Sequence, residues 1–233
     1  MGHLKSPTID TKNGACEYLA MPEGSSDQLA EMPAARVTTA HLCDVSPVGI
    51  LMDRGIGPIW PGANMTGPAF TVRTAPGDNA SLMVALREAQ PGAVLVVDGG
   101  GLMDRALWGA ILSLAARKRG IVGIVIDGAA RDRDEIAEMR YPVFARAVSP
   151  DTPYSKLHGS TGKPVLCGGL TIRPSDMVYG DGDGVAVIAA EVHEATLERA
   201  RQRMTLEDQI FAGLEAGRSL DELVPILAQT RRS

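Results

Sequence analysis

The sequence predicts an α/β fold built on a parallel sheet, and two neighbouring stretches carry the prediction. Val94-Leu95-Val96-Val97-Asp98-Gly99-Gly100-Gly101 and Gly123-Ile124-Val125-Ile126-Asp127-Gly128 are each a short apolar run that ends in Asp-Gly. Continuous runs rich in Val and Ile suit strands covered on both faces. The segment between them, residues 104–118, reads as a helix and completes a βαβ unit. A right-handed crossover then delivers both Asp-Gly ends to one edge of the sheet, the carboxyl edge where ligands of parallel sheets bind.

Composition bounds the rest. A chain of 233 residues, 45% of them apolar, can bury one substantial core. The formal charge of −5 argues against a nucleic-acid or anionic-membrane partner, both of which need a basic footprint. No stretch approaches the roughly 20 apolar residues of a membrane span, and the first residues lack a signal-peptide apolar region, so a cytoplasmic location is expected. Cys16, Cys43 and Cys167 are odd in number and widely spaced, which speaks against a disulfide framework or a zinc site.

In chain order, residues 1–24 are polar, carry Pro7, Pro22 and Gly24, and read as an N-terminal arm; the domain proper is 25–233. A short helix is expected after Ser26 or Asp27, and a second at 38–44, entered through threonine, with His41 and Asp44 on one face. Prolines and glycines make 55–67 a loop. Residues 69–74 alternate as a strand and stop at Pro76-Gly77-Asp78-Asn79, where Asp78 is placed to cap the helix 80–88. Beyond the second Asp-Gly run come a short helix at 133–139, a third strand at 143–148, and a polar loop at 149–163 that holds His158. Short strands follow at 165–167, 170–172 and 185–188. The turn Gly180-Asp181-Gly182-Asp183-Gly184 lacks the remaining ligands of a calcium loop and reads as a hairpin turn. A charged amphipathic helix at 191–216 and a shorter one at 219–227 close the chain; a long terminal helix of this kind suits an oligomer interface.

Chemistry concentrates in two loops. Gly99, Gly100 and Gly101 leave backbone N–H groups open to an anion, although the run is neither a dinucleotide fingerprint nor a P-loop. In the second loop Arg131 and Asp132 sit at a strand-to-helix junction, followed by Asp134 and Glu135. Asp132 and Glu135, three apart, are hard oxygen ligands suited to magnesium or manganese, and Arg131 offers a planar fork to a carboxylate or oxyanion. An equally good reading has both acids complementing a helix N-terminus while Arg131 pairs with Asp127.

The constellation resembles the RraA-like family, which includes class II pyruvate aldolases acting on 4-hydroxy-4-methyl-2-oxoglutarate and 4-carboxy-4-hydroxy-2-oxoadipate. It is carried by Gly67-Pro68-Ala69-Phe70-Thr71-Val72-Arg73, Gly77-Asp78-Asn79, Val97-Asp98-Gly99-Gly100-Gly101, Arg105-Ala106-Leu107-Trp108-Gly109, Asp127-Gly128-Ala129-Ala130-Arg131-Asp132-x-x-Glu135 and Pro174-Ser175-Asp176 with Asp183-Gly184-Val185. The resemblance implies a swivelling β/β/α domain, assembled as a homotrimer or homohexamer with active sites between subunits. It implies a divalent-metal lyase that releases pyruvate from a 4-hydroxy-2-keto acid through a stabilised enolate and is able to decarboxylate oxaloacetate. Asp132 would hold Mg2+ or Mn2+, Arg131 the 2-keto oxygen, and the loop Gly100, Gly101, Leu102 and Met103 the substrate carboxylate. Glu207, from the neighbouring subunit, would join the outer metal shell. Two positions depart from the aldolases: Ala110 stands where they carry an acid, and Met83 where many relatives carry His. These departures imply altered metal or proton handling or a different substrate. Other relatives are named for inhibiting a ribonuclease, so a regulator that binds a protein partner is the alternative. A methyltransferase label finds no S-adenosylmethionine loop here.

Overall fold

A computed structural model describes residues 37–46, 49–156 and 159–227. The expected arm 1–24, the helix after Ser26 or Asp27, Cys16 and His158 lie outside them. The elements run α1 (Thr39–Val45), β1 (Gly57–Pro58), β2 (Met65–Arg73), α2 (Ala80–Glu88), β3 (Val94–Asp98), β4 (Ala106–Trp108), α3 (Ala110–Lys118), β5 (Gly123–Ala130), α4 (Arg133–Glu138) and β6 (Val143–Val148). Then come β7 (Ser160–Thr161), β8 (Val165–Cys167), β9 (Leu170–Ile172), β10 (Met177–Asp181), β11 (Gly184–Ile188), α5 (His193–Glu215) and α6 (Leu220–Leu227). The main sheet has the order β1-β6-β5-β3-β2-β10-β11, with β4 on the end of β5 and β7 on the end of β2; β8 and β9 form a separate hairpin.

The two organising runs are adjacent parallel strands in a register that sets Asp98 opposite Asp127. Their side chains alternate between two cores, as the pleat requires. Leu95, Val97, Ile124 and Ile126 face α2, α3 and α4 and pack with Leu82, Leu112 and Ile136. Val94, Val96 and Val125 face the opposite way, onto Val165, Cys167 and Ile172 of the β8–β9 hairpin and Val185 and Val187 of β11. Helices on one face of the sheet and strands on the other give the β/β/α layering. A third cluster joins α1 and α5 to β10 and β11 through Leu42, Leu197, Ala200, Tyr179 and Ile188.

Three expectations about elements need correction. Residues 104–118 are not one helix: Ala106–Trp108 is a strand parallel to the end of β5, and the helix starts at Ala110. Cross-chain bonds take this stretch out of the helix, because Ala106 N donates to Asp151 O at 3.2 Å and Trp108 O accepts from Arg131 N at 2.9 Å. The loop expected at 55–67 contains β1 and the start of β2, where Met65–Pro68 pair with β10, itself unexpected. His41 and Asp44 do not pair with each other; both turn to α5, His41 to Glu207 at 2.9 Å and Asp44 to Arg203 at 3.1 Å. The acidic turn is a hairpin whose Asp181 accepts from Thr39 N and Thr39 Oγ1, each at 2.7 Å, and so caps α1.

Candidate active site

The carboxyl end of β5 builds the site. Its last residue, Ala130, leads into Arg131, whose N–H bonds to Trp108 O. Asp132 then adopts a left-handed backbone, φ 58° and ψ 44°, before α4 begins. For a non-glycine residue that conformation costs roughly 1–2 kcal/mol. It carries the Asp132 carboxylate away from α4, whose amides its side chain does not cap, and across to α3, where Oδ2 accepts from Ala110 N at 2.9 Å. Gly109 lies directly beneath, and a Cβ there would collide with Asp132 Oδ2 and crowd the Arg131 side chain.

Arg131 and Asp132 are each about one-third exposed, with Nε and Oδ2 3.6 Å apart, and Arg131 Nη1 reaches Thr152 Oγ1 at 3.4 Å. Arg131 does not pair with Asp127, as one reading of the sequence had it. Asp127 belongs to Arg146, which holds both its oxygens, and also accepts from Gly168 N at 2.8 Å. Hydrogen bonding to Asp127 and the neighbouring Asp53 charge hold the Arg146 guanidinium above its ordinary pKa. The Arg131 fork therefore stays available to a ligand.

The pair opens into a cleft of about 170 Å³. Asn79 and Met83 come from the start of α2, Ala106, Leu107 and Trp108 from β4, Ile111 and Leu112 from α3, and Pro153 from the loop after β6. That loop is strapped over the turn before α2: Asn79 N donates to Tyr154 O at 2.9 Å and Tyr154 N to Gly77 O at 2.8 Å. Asp78 ties both ends, accepting from Ala80 N at 2.9 Å and from Lys156 N at 2.8 Å; it stands one residue before the N-cap of α2, which is Asn79 rather than Asp78 as the sequence suggested. Arg105 clamps the strap, 4.2 Å over the Tyr154 ring, 2.8 Å from Asp151 and bonded to the Thr152 carbonyl. Asn79 is 8% exposed, and its Oδ1 is buried with no hydrogen-bond partner among the described residues.

The remaining residues expected at the site are placed differently. In the glycine loop Gly100 and Gly101 have φ of 71° and 72°, as a turn free of Cβ atoms allows. Gly100 N bonds to Asp98 Oδ1 at 3.3 Å and Gly101 N to Asp127 O at 3.0 Å, so neither amide is spare. Leu102 and Met103 follow with amides that have no acceptor among the described residues. Glu135 is exposed on the first turn of α4. It does not share a helix face with Asp132, because the left-handed Asp132 precedes the helix. Glu207 lies on α5, between His41 and Arg203, and lines a second cleft of about 200 Å³ with Met204, Asp208 and Phe211. Among the described residues no three His, Cys, Asp or Glu side chains gather to hold a metal. Asp132 is the one carboxylate among the described residues lining the cleft, and its Oδ1 accepts no hydrogen bond from the described residues. One carboxylate oxygen fits a cation of the magnesium type, which keeps several of its waters. Asn79, Gly109 and Thr152 were not singled out as site residues from the sequence, although Asn79 ends the Gly-Asp-Asn motif.

Comparison with known proteins agrees with this architecture. A family model described as "Aldolase/RraA", RraA-like, matches residues 39–187, and the chain belongs to that family. A protein of Halalkalibacterium halodurans named "Putative 4-hydroxy-4-methyl-2-oxoglutarate aldolase" is 37% identical over 148 residues, 64% of this chain and 70% of that one. Among solved structures, an uncharacterised protein from Pseudomonas syringae pv. tomato superposes with a TM-score of 0.73 at 28% identity, covering 81% of this chain and 92% of that one. The RNA-processing inhibitor RraA of Thermus thermophilus matches with a TM-score of 0.59 at 31% identity, covering 64% and 91%. Among the described residues no helix is long and apolar enough to cross a membrane.

Proposed function

We propose that this protein is a divalent-metal-dependent lyase that cleaves a 4-hydroxy-2-keto acid to pyruvate. It works in the cytoplasm as a trimer or hexamer whose clefts are completed by a neighbouring subunit. The observation that carries the reading is Asp132, held in a strained backbone with its carboxylate beside Arg131 at the carboxyl edge of the sheet. The relatives named as aldolases support it.

Retro-aldol cleavage breaks the C3–C4 bond, and its electron pair becomes the enolate of pyruvate. The 4-hydroxyl loses its proton, C4 becomes a carbonyl, and a proton returned to C3 completes pyruvate. Arg131 stabilises the 2-keto oxygen, where negative charge develops. The amides of Leu102 and Met103 take the substrate carboxylate, while Gly100 and Gly101 shape the turn. Asp132 would hold Mg2+ or Mn2+, and the ion would supply Lewis-acid stabilisation of the developing negative charge. Water ordered by Asp132 carries off the 4-hydroxyl proton. Glu207 of the adjacent subunit orders further water, and Glu135 stays at the periphery. No lysine Schiff base is required. The same groups stabilise the enolate that remains when oxaloacetate loses carbon dioxide.

The second reading, a regulator that binds a protein such as a ribonuclease, is favoured by the match to the Thermus inhibitor. Pyruvate release from 4-hydroxy-4-methyl-2-oxoglutarate, 4-carboxy-4-hydroxy-2-oxoadipate and oxaloacetate, with Mg2+ or Mn2+ and with chelator, separates the two. The lyase requires turnover that chelator and Asp132→Ala both abolish. A stoichiometric protein complex indifferent to Asp132→Ala, with no turnover of any 2-keto acid, would establish the regulator instead.

A further inference from the structure

We infer that His41 is a positioning residue of the reaction, holding Glu207 in the orientation that a neighbouring subunit's cleft uses. The inference rests on the reading of Glu207 as a carboxylate supplied by one subunit to the lyase site of the next. It begins at the start of α1. The N-cap Thr38 accepts from His41 N at 3.3 Å, and Thr38 N donates to His41 Nδ1 at 3.1 Å. This is a reciprocal capping box with His in the place where Glu or Gln is usual. The exchange has a chemical consequence: because Nδ1 accepts, the ring proton sits on Nε2, which lies 2.9 Å from Glu207 Oε2 and donates to it. A Glu in this place would close the same box but set a like charge against Glu207.

Glu207 is gripped from a second side. Arg203, one turn earlier on α5, donates from Nε to Oε1 at 2.9 Å, and its Nη2 is anchored on Asp44 at 3.1 Å. The His41 and Arg203 side chains are 12% and 11% exposed, whereas Glu207 is 28% exposed and lines the second cleft. Two packed donors thus fix a carboxylate that stays open to a ligand or to water. Fastening α5 to α1 does not require this arrangement, because Leu42, Leu197 and Ala200 already belong to the apolar cluster that joins the two helices and Asp44 reaches Arg203 independently. Outer partners that orient the groups around a metal are worth roughly tenfold to a hundredfold in metal affinity or activity.

The experiment replaces His41 by Glu and by Gln, both of which keep the capping box while only Gln retains an N–H donor for Glu207. In the pyruvate assay with Mg2+ or Mn2+, His41→Glu should lose roughly tenfold to a hundredfold in kcat with KM little changed, and His41→Gln should recover most of that loss. Thermal melts of both should stay close to wild type. Co-expression then locates the defect. Mixed with Asp132→Asn, His41→Glu should recover about a quarter of wild-type sites, because its own cleft is intact and the Asp132→Asn subunit supplies a well-held Glu207. Mixed with Glu207→Gln, it should recover nothing. Unchanged kcat in His41→Glu, an equal loss in His41→Gln, or recovery with Glu207→Gln but not with Asp132→Asn each overturns the inference and leaves the lyase standing. A wild-type protein that releases no pyruvate from any of the three acids sinks the lyase and this inference with it.

Discussion

Asp132 concentrates a backbone cost, a helix cap and the one carboxylate among the described residues of the cleft in one side chain, and substitutions can separate these roles. Asparagine tolerates the left-handed region and keeps an oxygen to accept from Ala110 N. Asp132→Asn is therefore expected to melt within a few degrees of wild type while metal-dependent pyruvate release falls about a hundredfold or more, the scale of losing one electrostatic stabiliser. Asp132→Gly relieves the backbone but leaves the α3 amide uncapped, and the two changes, each about 1 kcal/mol, offset. Thermal melts beside the pyruvate assay check both variants. An Asp132→Asn enzyme that kept full activity would remove Asp132 from the chemistry.

Among the elements, the strands with a clear apolar run were legible, and those that depend on distant partners were not. β3 and β5 announce themselves by Val and Ile followed by Asp-Gly. The second half of β5 is Gly128-Ala129-Ala130, small residues without alternation, and it is strand because β4 and β6 flank it. β4 and β10 were hidden for related reasons, one inside a helix-like stretch and the other between two turn motifs. At the site, Arg131 and Asp132 stood out because two charges at a strand-to-helix junction are chemically conspicuous. Asn79, Gly109 and Thr152 matter only because the fold brings α2, α3 and the 151–156 strap to them. Asp127 shows the same limit. It was offered as a partner for Arg131, but β6 places Arg146 next to it, and Arg146 also reaches Asp53 at 3.3 Å. This pair joins β5 and β6 to the β8–β9 hairpin through Gly168 N. Arg146→Met strands a largely buried Asp127 charge, so the urea midpoint should fall by the equivalent of about 3 kcal/mol. Adding Asp127→Asn should recover much of it, because the unpaired charge is then gone.

Over the whole molecule, stability on the alkaline side follows from buried acids. Burial pushes the Tyr141 and Cys167 pKa values up, and that of Tyr179, which bonds to His193 at 2.7 Å, to about 12. These groups hold their protons more tightly folded than unfolded, so their contribution is complete below the unfolded pKa values, about 8.5 for Cys and 10 for Tyr, and is lost as pH rises towards the folded ones. Tyr141 OH has no hydrogen-bond partner among the described residues. Tyr141→Phe should therefore raise stability at neutral pH by about 1 kcal/mol and flatten the alkaline loss in urea titrations at pH 8 and 10.5. Assembly supplies the other test at this scale. Glu207 and the Arg131–Asp132 cleft are separate features of one chain, Glu207 being held by His41 and Arg203. If Glu207 serves a cleft, that cleft belongs to a neighbour, and two inactive variants should rescue each other. Asp132→Asn and Glu207→Gln, each homogeneous, should be nearly silent, while oligomers formed from an equal mixture recover about a quarter of wild-type sites, those pairing an intact cleft with an intact Glu207. Pyruvate release from the refolded or co-expressed mixture measures it. Full activity of Glu207→Gln alone would show that the carboxylate serves no cleft, and two silent variants with a silent mixture would place both groups in the same chain's site.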